Sequence, residues 1–482
     1  MLRLIQMLQA VYVLCGKEIP FMTLEEYVRS IREKSIGIIG IGVSNEPLIT
    51  MLLSAGCHVT ACDKRTAEEM GEEAEKLLAL GADLRLGEDY LEDLDFDVIF
   101  RTPGLMPFEE HLVQARQRGS VITSEMEVFF QTCPCRVIAV TGSDGKTTTT
   151  TIISELLKAA GFTVHLGGNI GKPLLCETPQ MKEEDVAVLE LSSFQLHSML
   201  CRPSVSVITN ISPNHLDKHK DFEDYVDAKK SIYRFQEAGD VLVLNADDGR
   251  TPEFAAETRS QVRLFSTGRE VTDGVFCKDG TVLRAKEGRI TPILRADEIL
   301  LPGVHNLMNY MAAFAATEGD VPDEICRRVA MDFRGVEHRL ETVRVLHGVT
   351  YINDSIGTSP TRTIAGLHAL KTRPIVIAGG YDKHIPFDTL GDEFCQYAKA
   401  VLVTGATAEK IAQAVTASSY FATSGLILKR IDGFDEAVLA ASEMAEEGDI
   451  VLLSPACAAF DCFQNFAERG RHFKKLVMEL KE

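Results

Sequence analysis

The stretch AVTGSDGKTTTTTIISELL, residues 139–157, ends an apolar run in a glycine-rich turn, a lysine and five threonines. Two glycines let the backbone approach a ligand closely, and the amides at a helix N-terminus favour an anion. Lys146 adds a positive charge, and Thr147 offers a hydroxyl group to Mg²⁺. The stretch therefore predicts a strand, a triphosphate-binding turn and a helix. The alternative is a threonine-rich helix cap that binds no ligand.

The turn is a variant of the general phosphate-binding loop. The eight-residue motif requires a glycine where this chain has Val140. Such a loop alone indicates a nucleotide-binding protein, and the reaction must be inferred from other segments. The residues of the turn that we expect to contact a nucleotide are Gly142, Ser143, Asp144, Gly145, Lys146, Thr147 and Thr148.

The composition is that of a globular protein with several domains. The chain has 482 residues, which is too long for one ordinary core and favours about three domains. Its net charge of -20 argues against a general affinity for nucleic acids or anionic membranes. We therefore expect no nucleic-acid or membrane partner, and an anionic substrate would need a local basic or amide-lined pocket.

The cysteines and the first residues add two expectations. The 12 cysteines are scattered without zinc-ribbon spacing, so we expect reduced thiols in a cytosolic protein. Residues 1–21 are apolar but contain Arg3, Gln6 and Gln9, which interrupt any run long enough to span a membrane. We expect an extension of unknown role with Met22 as the natural start, and a signal peptide is the alternative.

Residues 35–63 contain a strand, a glycine turn, a helix and a second strand that ends at Asp63. This order is typical of a βαβ nucleotide-binding half. Gly40 and Gly42 supply the first part of the dinucleotide fingerprint, but Glu46 and Pro47 stand near the position of its third glycine. The missing glycine argues against an NAD site.

Strands and helices alternate along most of the chain, which predicts an α/β fold with mostly parallel sheets. Residues 262–300 differ, because short alternating segments around a KDGT turn predict a small antiparallel patch. We expect three domains: a Rossmann-like N-terminal domain, a central P-loop ATPase-like sheet carrying this patch, and a C-terminal Rossmann-like domain. The expected bounds are 1–34 for an extension and lead-in helix, then 35–133, 134–334 and 335–482.

Polar side chains follow two apolar strands of the central region. VLELSSFQL, residues 188–196, places Glu190 and two serines after a strand, and VITNISPNHLDKH, residues 207–219, places Asn210, Asn214 and His215 after another. Glutamate and histidine at strand ends beside a phosphate loop are candidate metal ligands. The alternatives are a solvated or paired carboxylate and an ordinary loop histidine.

A set of ten motifs resembles the Mur ligases of peptidoglycan synthesis, from about Ile36 to the C-terminus. In chain order they are GSDGKTT, GGNIGKP, ELSSFQL, TNISPNHLD, DAKKSIY, VHNLMN, EHRLE, NDSIGTSPT, GGYDK and SPACAAFDCFQNFAERG. The resemblance implies ATP-driven amide formation, in which a substrate carboxylate takes the γ-phosphate and an amine then displaces it. Within the family, the set is most similar to members that add D-glutamate to UDP-N-acetylmuramoyl-L-alanine.

The resemblance also implies a catalytic group of four residues. Lys146 and Thr147 would hold the phosphates and one of two Mg²⁺ ions, while Glu190 and His215 would hold Mg²⁺ near the acyl phosphate. Lys229 matches the family lysine that is carbamylated, which converts an amine into an anionic oxygen ligand. The alternative for Lys229 and its neighbour Lys230 is a solvated helix face. The implied metal ligands are Thr147, Glu190, His215 and Lys229 as its carbamate.

Three further groups of binding residues follow from the resemblance. Contacts to adenine and across the domain boundary are expected from Asn306, Asn309, Arg339 and Asp354. Contacts to the UDP substrate are expected from Val43, Ser44, Asn45, Asp63, Asn169 and Ser192. Contacts to D-glutamate are expected from Thr358, Lys383 and Phe466. For Asp354 the alternative is a cap on the following helix.

Some positions depart from the family pattern, and rival functions follow from it. Ala459 stands where a substrate-binding serine is expected, and Ile356 where some members have lysine. The rivals are a sister ligase with another amino acid, a folylpolyglutamate synthase, and a non-catalytic nucleotide-binding regulator. SPACAAFDCFQNF and the short first domain favour D-glutamate. The resemblance implies a cytoplasmic monomer whose partners are ATP and its two small-molecule substrates.

Overall fold

The computed structural model describes residues 22–42, 44–215, 218–301, 303–370, 372–382 and 386–481. The chain divides into two compact units, Met1–Phe333 and Arg334–Glu482. The first unit contains two β-sheets and the second contains one. The expected extension of residues 1–21 and the site residues Val43 and Lys383 lie outside the described residues.

The first sheet has five parallel strands and begins after a capped helix. Thr23 and Glu26 form a capping box at the start of that helix. The elements are α1 (Leu24–Ile31), β1 (Ser35–Ile39), α2 (Asn45–Ser54), β2 (His58–Asp63), α3 (Ala67–Met70), α4 (Glu72–Ala79), β3 (Asp83–Leu86), β4 (Val98–Arg101), α5 (Glu110–Arg118), β5 (Val121–Thr123) and α6 (Glu125–Thr132). The strand order is β3-β2-β1-β4-β5, which places the glycine turn after the central strand β1.

The second sheet has nine strands and carries the phosphate loop in its interior. Its elements are β6 (Arg136–Thr141), α7 (Lys146–Ala159), β7 (Val164–Gly168), β8 (Val186–Glu190), α8 (Ser193–Leu196), β9 (Val205–Ile208), α9 (Phe222–Lys230), β10 (Val241–Asn245), β11 (Gln261–Ser266), β12 (Gly274–Lys278), β13 (Thr281–Lys286), β14 (Arg289–Arg295), α10 (Val304–Ala316) and α11 (Asp323–Asp332). The order is β14-β13-β12-β11-β10-β9-β6-β8-β7. β12, β13 and β14 pair antiparallel, which confirms the predicted patch and its KDGT turn.

The third sheet lies in the second unit and has six strands. Its elements are β15 (Glu341–Leu346), β16 (Val349–Asn353), α12 (Pro360–Ala369), β17 (Ile375–Gly379), α13 (Asp388–Tyr397), β18 (Ala400–Thr404), α14 (Ala408–Ala417), α15 (Phe421–Ser424), β19 (Ile427–Arg430), α16 (Phe434–Met444), β20 (Ile450–Leu453) and α17 (Phe466–Glu479). The order is β15-β16-β20-β17-β18-β19, and only the β15–β16 pair is antiparallel. The predicted α/β class with three sheets is confirmed.

Alternating side chains of β6 fill the two faces of the central sheet. Val137 and Ala139 pack into a core shared with the first sheet, whereas Ile138 and Val140 pack into a core with α7 and α10. β6 is therefore buried on both sides, and the turn that follows it begins at a fixed point. Among the described residues, no helix is both long and apolar enough to cross a membrane.

Candidate ATP and metal site

The phosphate loop connects the buried strand β6 to the first residue of α7, Lys146. Its two glycines have positive φ angles, 146° at Gly142 and 77° at Gly145. A Cβ atom would lie 1.9 Å from Thr209 Oγ1 at the first glycine and 2.3 Å from Asn309 Oδ1 at the second. Only glycine fits at these two positions, because both the backbone conformation and the space exclude a side chain.

The end of β9 holds the loop in shape. Thr209 Oγ1 donates a hydrogen bond to the Asp144 carbonyl at 2.6 Å. The Asp144 amide donates to Asn210 Oδ1 at 2.9 Å, and the Ser143 amide donates to the Asn210 carbonyl at 2.9 Å. The loop is thus fixed by its neighbouring strand, which lowers the cost of ordering it around a phosphate.

Two lysines converge on one carbonyl group of the loop. Lys146 Nζ donates to the carbonyls of Gly142, at 3.0 Å, and Ser143, at 2.8 Å. Lys229 Nζ donates to the same Gly142 carbonyl at 2.7 Å and to Thr141 Oγ1 at 3.3 Å. Of the two, Lys146 at the first position of α7 can attract the negative charge of a polyphosphate.

Lys229 is the most deeply buried lysine side chain of the site, with 1% of its surface exposed. Its Nζ lies 4.7 Å from the centroid of the Tyr225 ring. Burial, and secondarily the positive charge of Lys146, hold the pKa of Lys229 well below its usual value. The neutral amine, which is the nucleophilic form, is therefore favoured.

Glu190 lies at the carboxyl end of β8 with 2% of its surface exposed. Its carboxylate accepts hydrogen bonds from Thr147 Oγ1 at 2.6 Å and from Asn169 Nδ2 at 2.7 Å. The hydroxyl and carboxylate are oxygen ligands of the type that Mg²⁺ prefers. These hydrogen-bonded oxygen atoms fit a magnesium site beside the phosphate loop.

His215 follows β9 in the loop that ends at α9. Its φ angle is 54°, which is uncommon for a residue other than glycine. The ring centroid lies 5.0 Å from that of Phe194 in α8, the helix that begins three residues after Glu190. The structure therefore brings the His215 loop and the Glu190 strand end together through an aromatic contact.

The predicted adenine residues divide between the two units. Asn309 accepts a hydrogen bond from Thr149 Oγ1 at 3.2 Å, and its Nδ2 lies 3.5 Å from Asn306 Oδ1 one turn earlier in α10. Both asparagines thus belong to the helix that packs against the loop. Arg339 and Asp354 lie in the second unit.

Asp354 is buried at the end of β16, with 5% of its surface exposed. It accepts hydrogen bonds from Ser454 Oγ at 2.8 Å and from the Leu340 amide at 3.3 Å. Burial raises the pKa of Asp354 to about 6. The residue at the N-cap of the following helix is Ser359, so the alternative interpretation of Asp354 as that cap is wrong.

The predicted UDP residues form two groups by their contacts. In the first sheet, Asn45 Nδ2 donates to the Ile39 and Gly40 carbonyls, and Asp63 Oδ2 accepts from the Ile41 amide at 2.7 Å. Ser44 occupies the N-cap of α2 without a side-chain cap bond. In the second sheet, Asn169 binds Glu190, and Ser192 caps α8 by a capping box with Gln195.

The predicted D-glutamate residues lie in the second unit. Phe466 begins α17, is exposed, and accepts a backbone hydrogen bond from Ser355 Oγ at 2.7 Å. The Thr358 amide donates to the Ile356 carbonyl at 2.8 Å. Ala459 is buried. As an alanine, it offers no polar side chain at the position where a serine was expected.

Sequence reasoning missed a group of four polar side chains beside the site: Ser193, His197, His219 and Asp224. His219 Nε2 lies 2.9 Å from Ser193 Oγ, and His219 Nδ1 lies 3.0 Å from Asp224 Oδ2. His197 Nε2 lies 3.0 Å from Asp224 Oδ1. The available signal was the position of His219, four residues after His215 on the same loop.

Comparisons with known proteins identify the family of the chain. Residues 140–317 match the Mur ligase middle domain, and residues 338–457 match the Mur ligase glutamate ligase domain. The chain is 46% identical over 95% of its length to a Clostridium novyi protein, covering 99% of it. It is 48% identical over 95% of its length to a Ruminiclostridium cellulolyticum protein, again covering 99%.

The chain belongs to the Mur ligase family. Both relatives carry the name UDP-N-acetylmuramoylalanine--D-glutamate ligase. A solved structure, the UDP-N-acetylmuramate-alanine ligase of Thermotoga maritima, matches with a TM-score of 0.52 at 18% identity, over 93% of this chain and 100% of that one. The structural match supports the shared fold.

Proposed function

We propose that this chain joins D-glutamate to UDP-N-acetylmuramoyl-L-alanine at the expense of ATP, in the synthesis of peptidoglycan precursors. The observation that carries the proposal is the convergence of Lys146 and Lys229 on the Gly142 carbonyl, beside the hydrogen-bonded Thr147–Glu190 pair. This arrangement suits a reaction that brings a substrate carboxylate to a polyphosphate. The names of the relatives supply the two substrates.

The reaction proceeds in two steps. The carboxylate of the UDP substrate attacks the γ-phosphorus of ATP, giving an acyl phosphate and ADP. The amine of D-glutamate then attacks the acyl carbon, and the tetrahedral intermediate expels phosphate and loses a proton to leave an amide. Lys146 and the loop amides lower the barrier by balancing the charge of two anions that must approach each other.

Mg²⁺ would be held by Thr147, Glu190, His215 and a modified Lys229, and we expect two ions. The metal supplies positive charge to the transferring phosphoryl group. Thr147 and Glu190 share a hydrogen bond, so the chain places both oxygen atoms side by side. The His215 loop and α9 supply the remaining ligands.

We propose that Lys229 is carbamylated. The neutral amine attacks carbon dioxide, one C–N bond forms, and one proton is released to leave an anionic carbamate. Burial that favours the neutral amine supports this reaction. Lys230 is the weaker candidate because its ammonium group forms an ion pair with Glu257 at 2.7 Å.

We also assign each substrate to one of the three expected domains. The UDP end is held by the domain of residues 35–133 together with Asn169 and Ser192, ATP by residues 134–334, and D-glutamate by residues 335–482 through Thr358, Lys383 and Phe466. All described cysteines are free thiols, which supports a cytoplasmic location. The proposed reaction uses one chain, so we expect a monomer.

An acceptor panel tests the proposal. The protein is incubated with ATP, Mg²⁺ and UDP-N-acetylmuramoyl-L-alanine, and phosphate release and product mass are measured with D-glutamate, L-glutamate, L-alanine or a diamino acid. We expect phosphate and product in equal amounts with D-glutamate only. Equal turnover with another amino acid would refute the specificity, and phosphate release without any acceptor would refute the coupled ligation.

A further inference from the structure

A single hydrogen-bonded series of side chains connects the three segments that carry candidate metal ligands. Ser193 lies three residues after Glu190, His219 lies four residues after His215, and Asp224 lies five residues before Lys229. The His219 ring reaches both of the others, at 2.9 Å from Ser193 Oγ and 3.0 Å from Asp224 Oδ2. One imidazole therefore spans a strand end, a loop and a helix.

The Asp224 carboxylate fixes the direction of one of these hydrogen bonds. A carboxylate accepts, so Nδ1 of His219 donates to Asp224; in the neutral ring, Nε2 then accepts the Ser193 hydroxyl. Ser193 and His219 are each 3% exposed, so water competes little for either bond.

His219 also contacts the residues around the proposed metal site through its ring and its backbone. Its ring stacks on Phe194 with centroids 5.4 Å apart, and Phe194 contacts the His215 ring at 5.0 Å. The His219 amide also donates to the His215 carbonyl at 3.1 Å. On the other side, the His219 ring meets the edge of Tyr225, whose ring faces Lys229 and whose hydroxyl lies 2.9 Å from Ser143 Oγ.

The same atoms allow a second interpretation, which the hydrogen bonds disfavour. Ligand atoms of His197, His219 and Asp224 lie within 4.8 Å of one another, close enough to surround a metal ion. However, Asp224 lies 3.0 Å from a ring nitrogen of each histidine. Two N–H groups directed at one carboxylate account for this spacing without an ion.

We propose that His219 is a positioning residue for the metal site, holding the Glu190, His215 and Lys229 segments at the spacing that the ions require. It acts through Ser193 and Asp224 and through its contact with the His215 backbone. The inference rests on the proposed function for the identity of the metal ligands. It predicts that loss of His219 weakens metal binding and turnover while substrate binding is retained.

Three variants and a matched control test the proposal. His219→Ala removes both hydrogen bonds, His219→Asn keeps an amide near the Nδ1 position to reach Asp224, and His219→Gln keeps one near the Nε2 position to reach Ser193. The control is His165→Ala, because His165 Nε2 pairs with Asp185 Oδ2 at 2.8 Å at the other end of β8. Mn²⁺ binding is measured by electron paramagnetic resonance with a non-hydrolysable ATP analogue, and kcat and KM are measured with Mg²⁺.

We expect His219→Ala to raise the Mn²⁺ dissociation constant and to lower kcat by about tenfold or more. The KM for the UDP substrate should stay within about twofold. The Asn and Gln variants should fall between the wild type and alanine, and should decide the question if the alanine variant does not fold. His165→Ala should lower thermal stability without changing Mn²⁺ binding.

Unchanged Mn²⁺ binding in folded His219 variants, or an equal loss in His165→Ala, would overturn the proposal. So would Mn²⁺ bound to the wild type without nucleotide and lost in His197→Ala, because the cluster would then be the metal site itself. A wild-type protein that binds Mn²⁺ and the analogue but forms no product with D-glutamate refutes the proposed function. In that case the comparison of Mn²⁺ binding still decides the role of His219.

Discussion

Buried ionisable side chains define the site at the scale of single residues. Glu190 and Lys229 are each 2% exposed or less, which costs free energy unless the groups are hydrogen-bonded or neutral. Glu190 is compensated by Thr147 and Asn169. Lys229 donates to the neutral oxygen atoms of Gly142 and Thr141, so its neutral form is favoured, and a buried amine is suited to react with carbon dioxide.

Lys229→Ala should lower kcat by about 100-fold, because one anionic ligand of the proposed metal site is lost. A short carboxylic acid added to the assay should restore part of the activity by occupying the space of the carbamate. In the wild type, ¹³C-labelled bicarbonate should give a carbamate resonance that is absent from the variant. Lys230→Ala is the control, since Lys230 pairs with Glu257 at the surface, and it should keep both activity and resonance. A fully active Lys229→Ala protein would contradict the assignment.

The free energy of unfolding should depend on pH through the buried carboxyl group of Asp354. Burial raises its pKa to about 6 in the folded state, above the value of about 3.9 in an unfolded chain. A raised pKa means that the folded state binds the proton more tightly than the unfolded state does. The protonated carboxyl group therefore adds to the free energy of unfolding below about pH 4, and this added stability is lost as pH rises through about 6. The difference amounts to about 3 kcal/mol at most.

Thermal unfolding of the wild type and Asp354→Asn between pH 4 and pH 7.5 measures this contribution. The variant should gain stability relative to the wild type as pH rises, because an amide does not ionise. The exposed Asp432→Asn serves as the control and should follow the wild type at every pH. Parallel curves for the wild type and Asp354→Asn would show that the carboxyl group is not shifted.

At the scale of secondary-structure elements, the phosphate loop works because three elements determine its shape. β6 is buried on both faces, β9 holds the loop through Thr209 and Asn210, and α10 approaches Gly145 with Asn309. The loop cannot widen without breaking these contacts. Its helix α7 is anchored by Ile152, Ile153, Leu156 and Leu157, all buried, and this fixes the first-turn amides toward the ligand.

Gly142→Ala should lower turnover by about 100-fold or more, because a displacement of the reacting groups by about 1 Å has an effect of that size. The new Cβ atom would meet Thr209 Oγ1 and would also strain a φ angle of 146°. Gly161→Ala is the matched control at the far end of α7. Its φ angle is 98°, but a Cβ atom there meets nothing within 4 Å.

The control should lose about 1 kcal/mol of stability and retain its nucleotide affinity. Binding of a fluorescent ATP analogue and thermal unfolding separate these two effects. Equal nucleotide affinity in Gly142→Ala and the wild type would contradict the role of the loop.

The sequence predicts most elements that carry the site, because their apolar periodicities are strong. The strand ending at Thr141, the helix after it and the strand that carries Glu190 are examples, whereas the place of Lys229 at the site was implied only by the family resemblance. The edge strands β15 and β19 were not predicted, since their side chains are mostly half-buried or exposed and give no clear period. The Ser193–His219–Asp224 series was also missed, because it joins residues 5 to 31 positions apart whose contacts depend on the folded packing.

At the scale of the whole molecule, the chain consists of two compact units joined between Phe333 and Arg334. The phosphate loop lies in the first unit, and the residues proposed to bind D-glutamate lie in the second. The reaction as proposed therefore needs both units in one chain. A covalent link raises the effective concentration of one unit for the other to the millimolar range when the linker is short.

Cleavage of that link should separate binding from ligation. A protease site inserted between Phe333 and Arg334 should, after cleavage, leave nucleotide binding intact but make ligation depend on protein concentration. The control is the protein that carries the inserted site but has not been cleaved, in which the two units stay covalently joined. Concentration-independent activity of the cleaved protein would contradict the need for a covalent link.

An oxygen-isotope experiment measures whether the substrate carboxylate accepts the γ-phosphate of ATP. UDP-N-acetylmuramoyl-L-alanine labelled with ¹⁸O at both carboxyl oxygen atoms is turned over with ATP and D-glutamate, and the released phosphate is analysed by mass spectrometry. We expect one ¹⁸O atom in each phosphate, because one oxygen of the substrate carboxylate leaves with the phosphoryl group. Unlabelled phosphate at full product yield would contradict the acyl-phosphate reaction.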